Sequence, residues 1–367
     1  MMLRYIAIAS CAFRLIISDF VYPNFNETTG LIFNGDAGTT SCTSDLLLDY
    51  GDVQNKADRF NQDVIVQRGE DTDLTFETSI ETNKDIYNAE IDQYISGFLH
   101  RNDTISAPRK CPVRIRLTPS GPSKISSVWF RDKFAVYRGF DTYFTFQISD
   151  HSKECTLHRD QYFSAIHHRT CSVRGGDGFA FVLHSDPDNT AAVGRAGGQM
   201  GFGGLKRSVA IAFDTWPNPG QDQLSVDHIS VQSRGPLEGN DALELGLLGL
   251  PRPYPLADGR IHLVRIAYFD HIVTEYLPYL VASESLLPYL SDNGEQKRIG
   301  MLAVFIDEGV GRNQPLLAMP INLSLLLKLP ADKATVGFTS STGTFYEKHD
   351  ILSWYFCEEQ PCTSPHK

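Results

Sequence analysis

Val209-Ala-Ile-Ala-Phe-Asp-Thr-Trp-Pro-Asn218 is the stretch on which the fold turns. Val209, Ile211 and Phe213 alternate with smaller residues, the period-two pattern of a strand. Asp214, Asn218 and Asp222 then arrive within nine positions, and His228-Ile-Ser-Val231 opens a second strand directly after. A hard cation such as Ca²⁺ takes carboxylate, amide and backbone carbonyl oxygens at short range. A strand end followed by a bent loop supplies them without a helix. The stretch therefore reads as a calcium-stiffened loop at the rim of an all-β domain.

The rest of the chain fits that reading. Strand-like runs recur at 74–80, 113–117, 127–130, 143–148, 178–183, 209–213, 229–232, 262–268, 301–306, 335–339 and 351–356. Many alternate apolar and polar residues, with Gly, Pro, Asn and Asp between them. Helical patterns are scarce; Ala282–Leu290 allows a short helix that Pro288 limits. Many strands with turn signals and few helices indicate an antiparallel β-sandwich. Three segments look like loop insertions on one domain: 56–110 is polar without a firm pattern, 236–258 is rich in Gly and Pro, and 276–298 holds Pro278 and Pro288.

The 367 residues carry a formal net charge of −11, with 42% hydrophobic residues. The hydrophobic share permits a large core, and the acidity argues against nucleic acid, whose phosphates need clustered Lys and Arg. Residues 1–18 combine a short cationic start, an apolar run from Tyr5 to Phe13 and the small residues Ser10 and Ala12. This fits a secretory signal, interrupted by Arg14. No later segment holds some 18 continuous apolar residues, so no membrane span is expected in the mature chain. The domain is expected to run from 19 to 357, followed by a tail from 358 to 367.

Beyond Cys11, six cysteines remain, an even count that suggests disulfides in a secreted chain. Proximity in sequence favours Cys155–Cys171 and Cys357–Cys362, leaving Cys42–Cys111. No spacing suggests a zinc site. Asn26-Glu-Thr, Asn102-Asp-Thr and Asn322-Leu-Ser are N-glycosylation sequons.

Four segments carry the functional reading. Gly175-Gly-Asp-Gly-Phe-Ala-Phe presents Asp177 just before a strand. Gly194-Arg-Ala-Gly-Gly-Gln-Met-Gly-Phe-Gly-Gly204 permits close backbone approach to a ligand, but lacks the Lys-Ser/Thr ending of a phosphate loop. The third is the opening stretch through His228. The fourth, Gly337-Phe-Thr-Ser-Ser-Thr-Gly-Thr-Phe345 followed by His349-Asp-Ile-Leu-Ser-Trp-Tyr-Phe356, gives a strand, a Ser/Thr/Gly turn and a closing strand.

In this order the four segments resemble the legume-type (L-type) lectin family. The N-terminal Phe20-Val-Tyr-Pro-Asn-Phe and Gly35-Asp-Ala37 extend the resemblance, which runs from about residue 20 to 356 with the insertions unmatched. It implies a concanavalin A-like jelly-roll sandwich that binds glycans or glycoproteins in the secretory lumen or outside the cell. It implies that Asp177, following a cis Gly176–Asp177 peptide, accepts hydrogen bonds from sugar hydroxyls. Gly198 or Gly197 would donate from the backbone, and Asn218 would offer its amide to the sugar. Thr342, Gly343 and Thr344 would lie in the specificity loop. Asp214, Asn218, Asp222 and the Trp216 carbonyl would hold Ca²⁺, with His228 beside them.

There are departures. Plant members of the family carry a Glu two positions before the metal-loop Asp, where this chain has Ala212. One His with shared aspartates makes a poor transition-metal site, so calcium alone is expected. The loop to Asp222 looks one residue short, with Asp227 as the substitute ligand. A glycoside hydrolase of the same sandwich is the alternative, and it needs two suitably spaced carboxylates; Ala212 removes one obvious candidate. A sugar-blind adhesion module keeping only the sandwich and calcium is a third reading. Binding without catalysis is the expectation, and homo-oligomerisation is left open.

Overall fold

The computed structural model describes residues 20–40, 74–80, 113–159, 166–218, 223–242, 246–281, 283–293, 297–329 and 333–358; for 74–80, 153–159 and 166–172 the description is of the backbone alone. Two large sheets face each other. The first runs β16 (Leu317–Ile321), β15 (Gly300–Ile306), β14 (Ile261–Phe269), β7 (Phe140–Ser149), β18 (Lys348–Cys357), β5 (Arg114–Thr118) and β3 (Gly38–Thr40). The N-terminal β1 (Phe20–Tyr22) also pairs with β18. The second runs β13 (Arg252–Pro253), β12 (His228–Gln232), β11 (Ser208–Asp214), β10 (Gly178–His184), β17 (Thr335–Ser341), β6 (Ile125–Phe130) and β2 (Leu31–Gly35). A third, smaller sheet joins β4 (Leu74–Ile80), β9 (Ile166–Arg174) and β8 (Ser152–Arg159). The strand pairings of the three sheets are antiparallel. This is the antiparallel sandwich that the alternation predicts.

Alternation explains how the second sheet is buried on both faces. Phe179, Phe181 and Leu183 of β10, Val209, Ile211 and Phe213 of β11, and Val336 and Phe338 of β17 point into the core between the sheets. Phe179 stacks on Phe213 with ring centroids 4.6 Å apart. The alternate positions Ala180, Val182, Ala210 and Ala212 are small and face outward. The glycine-rich segment 194–204 lies over that outer face, where Met200 and Phe202 pack with the alanines and Trp129. Ala212 is thus a packing residue beneath this loop, with no exposed surface.

In the first sheet the closing strand changes phase. A register shift between Ile351 and Ser353 lets Ile351, Trp354 and Phe356 all reach the core, although strict alternation would turn Trp354 outward from Ile351. The Trp354 indole donates to Thr142 Oγ1 at 3.0 Å. Segments outside the sheets close one edge. Residues around 281 bond to Ala318 of the edge strand β16, and Ser283 bonds to Leu248. The short helix allowed at Ala282–Leu290 is a 3₁₀ turn, Glu284–Tyr289, with Pro288 inside it. Two five-residue α-helices, Glu308–Arg312 and Leu323–Leu327, are the longest among the described residues apart from 3₁₀ turns. No helix among them is long and apolar enough to cross a membrane.

Of the expected modification sites, Asn26 is exposed. Asn322 is 1% exposed and caps the 323–327 helix by accepting from the Leu325 N–H. Its amide nitrogen donates to Ser291 O, Asn293 Oδ1 and Lys297 O. A side-chain nitrogen so enclosed cannot carry a glycan in this fold, and Asn322 is corrected from acceptor to helix cap. Asn102 lies outside the described residues, as do Cys42, Cys111, Cys362 and the expected signal. Cys155 and Cys171 are direct register partners across β8 and β9. Cys357 is disulfide-bonded.

Candidate functional site

Three strands of the second sheet end at one rim. Gly178 of β10 is the register partner of both Asp214 at the end of β11 and Ser341 at the end of β17. Asp177 therefore emerges between the metal-loop stretch and the Thr342 turn. Its N–H donates to Ser341 O at 3.1 Å, and its carbonyl accepts from the Thr215 N–H at 3.1 Å. The Gly176–Asp177 peptide is cis. The Asp177 residue is 6% exposed, and its Oδ2 has no protein hydrogen-bond partner. Burial pushes its carboxyl up to about 7, and the Glu347 carboxylate adds to the shift.

The other expected sugar contacts gather around this carboxylate. A Cβ added at Gly343 would lie 3.2 Å from Asp177 Oδ2, so the turn passes directly over it. Thr342 is fully buried and anchors that turn: its Oγ1 donates to Gly121 O and accepts from the Lys124 N–H. Gly197 O accepts from Ser341 Oγ at 2.7 Å, which ties the glycine loop to β17. A Cβ at Gly198 would sit 2.8 Å from Asn218 Oδ1 and 2.9 Å from its Nδ2, so only a glycine lets the Asn218 amide approach this backbone. Trp216 packs its Cβ against Gly176 and stacks its ring on Phe345 at 5.0 Å. The structure thus brings Asp177, Gly197, Gly198, Asn218 and Gly343 to one rim; Thr344 follows Gly343 in the same turn.

The metal-loop residues are oriented with them. Asp214 is buried, and its Oδ1 accepts from the Trp216 N–H at 2.9 Å. The Asn218 amide lies 3.4 Å from Trp216 O. His228 is the register partner of Asp214. Its Nδ1 meets Val226 O at 2.9 Å, so Nδ1 carries the proton and, in the neutral ring, Nε2 keeps its lone pair. Asp227 Oδ2 accepts from the Leu256 and Ala257 N–H groups, so the substitute ligand serves the 254–257 turn. Asp222 lies outside the described residues. Among the described residues no cluster of three or more His, Cys, Asp or Glu side chains could hold a metal. The donor set here is mixed: one carboxylate, one amide and one backbone carbonyl within five residues. That hard oxygen chemistry fits Ca²⁺.

A buried network beneath the rim was not visible in the motif reading. Glu347 has no exposed surface. Thr215 Oγ1 donates to its Oε1, which also meets His349 Nε2 at 3.1 Å, while Oε2 meets His151 Nδ1 at 2.7 Å. Burial opposes the charge, but the bonds and positive charges of His151 and His349 hold the carboxyl down at about 2. His151 Nε2 faces Ala257 O at 3.1 Å. Both ring nitrogens of His151 therefore face acceptors, an arrangement only the imidazolium satisfies fully. His349 Nδ1 meets Thr118 Oγ1 at 2.6 Å. The spacing Glu347-x-His349 at the start of a strand was the available signal, since residues i and i+2 share a face. Asp350 belongs to the other face, where Arg116 holds it through both carboxylate oxygens.

A model of the legume lectin domain matches residues 288–367. Over that segment the chain is similar to legume lectins. The L-type lectin resemblance read from the sequence is borne out by that match, which covers the Thr342 turn and the closing strand. Solved structures similar to the chain include lectin I-B4 from Griffonia simplicifolia in its metal-free form, at 18% identity over 92% of this chain and 97% of that one, with a TM-score of 0.44. Peanut lectin with a nine-residue peptide aligns at 14% identity over 80% of this chain and 94% of its own, TM-score 0.42. The lumenal domain of VIP36 with Ca²⁺ and mannose aligns at 17% identity over 78% of this chain and 84% of its own, TM-score 0.42.

Proposed function

We propose that the chain is a calcium-dependent lectin of the secretory pathway or cell exterior, binding a glycan at the rim formed by Asp177, Gly198, Asn218 and the Thr342–Thr344 turn. The observation that carries this reading is the Asp177 carboxylate: buried, held at the tip of three strands, with Oδ2 free of any protein donor. An orphaned buried acceptor calls for an outside donor, and a sugar hydroxyl meets that need. Asn218 adds amide hydrogens beside it, and the Gly197–Gly198 backbone closes the other side.

Calcium held by Asp214, Asn218, the Trp216 carbonyl and Asp222 would supply positive charge beside Asp177 and favour its ionised, acceptor form. The chain's own residues do the rest. Thr215 bonds to both the Asp177 backbone and Glu347, so the metal loop and the sugar-facing carboxylate share one support. The sequence signal and the matched family both favour the secretory route; glycoproteins are the corresponding partners.

One observation favours the hydrolase alternative. Asp177 and Glu347 are neighbouring carboxyls whose pKa values are pushed apart, to about 7 and about 2, a pattern seen in acid–base pairs. Glu347 has no exposed surface, however, and both its oxygens are engaged by Thr215, His349 and His151. A carboxylate that no substrate reaches serves as neither nucleophile nor base, so binding without turnover is the favoured reading.

The test is Asp177→Asn, which keeps the volume and replaces one acceptor oxygen with a donor. On a glycan array the variant should lose binding at least about a hundredfold, the cost of unpairing charge-assisted hydrogen bonds. Its melting temperature should stay at or above that of the wild type, because a buried charge is removed. Undiminished glycan binding by this variant would reject the site.

A further inference from the structure

Two of the segments that look inserted in the sequence, 236–258 and 276–298, pack against each other on one side of the sandwich. Leu248 O accepts from the Ser283 N–H at 3.1 Å, and Leu247 O accepts from the hydroxyls of Ser283 and Ser285. A Cβ at Gly249 would lie 3.0 Å from Val281 Cγ2. A short motif occurs twice in this region: Tyr276-Leu-Pro-Tyr-Leu280 and Leu286-Leu-Pro-Tyr-Leu290. Both copies lie on 3₁₀ turns, Thr274–Tyr279 and Glu284–Tyr289. Tyr276 and Leu286, equivalent in the two copies, are buried and anchor the turns. The residues that follow them, Leu277-Pro278 and Leu287-Pro288, are exposed. Between the turns Leu280 pairs with Ala318, and the Val281 N–H donates to Ala318 O. The strap therefore covers the edge of β16 and leaves its leucines outside.

The exposed leucines among the described residues are Leu237, Leu250, Leu277, Leu280 and Leu287, and all of them fall in these two segments. The Tyr289 hydroxyl sits over Gly235, which brings the Leu237 turn beside the second 3₁₀ turn. Scattered apolar residues on a surface are ordinary, but leucines gathered by two packed segments mark an interaction surface. Its charge is one-sided. From Asp270 to Asn293 the chain holds Asp270, Glu275, Glu284 and Asp292 and neither Lys nor Arg. Glu275 and Glu284 are exposed, each in the first turn of one of the two 3₁₀ turns. Of the neighbouring cations, Arg234 is paired with Glu238 and Arg252 is half-buried in β13.

We infer that this face docks a short polypeptide segment whose apolar side chains are flanked by Lys or Arg. Five leucines and two prolines fall short of the roughly 20–30 residues a side that a standard interface between folded proteins uses, so a short segment fits the face. A second copy of the chain, placed across a two-fold axis, would set Glu275 and Glu284 against their own kind. An anionic lipid surface would be repelled by the same carboxylates. A basic, apolar segment complements both the leucines and the glutamates. The face is remote from the candidate sugar rim. Ala318 aligns through Ala303 and Ala267 with Asp141 of β7, whereas the rim end of that strand is Ser149, opposite Lys348, about 26 Å farther along. A peptide and a glycan can therefore be held at the same time.

The experiment selects phage-displayed random short peptides on the full chain and counterselects them on the double variant Leu277→Ser, Leu287→Ser. Both substitutions are at exposed positions, so the melting temperature should not change. Enriched peptides should combine Leu, Ile, Phe, Met or Trp with Lys or Arg. In fluorescence polarisation the tightest of them should lose about tenfold or more in affinity on the double variant, and should weaken as salt is raised. Glu275→Lys with Glu284→Lys should release this basic peptide and bind its Lys/Arg→Glu counterpart instead, a gain that a misfolded variant cannot give. Asp177→Asn should bind the peptide as the wild type does. No enrichment over the double variant would overturn the inference, as would enriched peptides without cations or peptide binding that needs Asp177. A dimer seen by sedimentation and abolished by the double variant would give the face to a second copy, and binding to phosphatidylcholine vesicles abolished by it would give the face to lipid; either result overturns the peptide assignment.

Discussion

Glu347 is the residue on which the rim rests. It accepts from Thr215, which also holds the Asp177 backbone, and it is clasped by His151 and His349. A Cβ at Gly175 would fall 1.7 Å from Glu347 Oε2, so the approach to Asp177 is shaped around this carboxylate. Glu347→Gln removes the charged acceptor that Thr215, His151 and His349 share and should cost about 3 kcal/mol of stability at neutral pH, the scale for breaking a buried charged group's pairing. The carboxyl is depressed from 4.5 to about 2. A depressed carboxyl stabilises the fold above its unfolded value and loses that contribution as pH falls through the folded one. Urea unfolding of wild type and variant should therefore differ most above pH 4.5 and converge toward pH 2. A pH-independent gap would remove Glu347 from this role. Asp177 and Asn218 were legible in the sequence because their neighbours, Gly176 and the Asp214 stretch, form short motifs. Glu347 was less so, because its partners at 151, 215 and 349 meet only through the fold.

At the scale of elements, the readable strands are those with one face in the core. β10, β11 and β17 show large residues alternating with small ones, and the small ones accept the glycine loop. β16 was missed because Pro320 interrupts it; the proline is tolerated because β16 is an edge strand. The β8–β9 hairpin was missed because its Ser, Thr, Cys, His and Arg residues show no period-two alternation of apolar and polar residues; His167-His168 lies within β9. A second clasp joins the turn before β14 to the end of β15. His262 is 3% exposed, with Nδ1 on Asp307 Oδ2 at 2.7 Å and Nε2 on Asp258 Oδ1 at 3.1 Å. Burial opposes the imidazolium, but the bonds and charges of Asp307 and Asp258 raise its pKa above 6.5. A raised histidine stabilises the fold fully below its unfolded value and loses that contribution as pH rises through the folded value. The melting-temperature deficit of His262→Gln should accordingly be largest near pH 6 and diminish on the alkaline side. A deficit that grows with pH would contradict the clasp.

For the whole molecule, the sandwich was legible because a period-two pattern with turn residues has few other solutions, and the order of four motifs pointed to the L-type lectin family. The match of the family model over residues 288–367 agrees with the closing part of that order. The sandwich sets its hydrophobic core between two sheets and leaves one rim where β10, β11 and β17 end together. There the chain places a buried unpaired carboxylate, an amide pressed against a glycine backbone, and oxygen donors suited to a hard cation. The ligand's identity was not legible, because the proposed site is bounded by the turn at 342–345, whose shape no local pattern encodes. The central claim is that calcium holds Asp177 and Asn218 toward a sugar. The most direct measurement is binding of the full chain to a glycan array in calcium, in EDTA, and after calcium is restored. Binding that disappears in EDTA and returns with calcium is the predicted result; glycan binding unchanged by EDTA would contradict it.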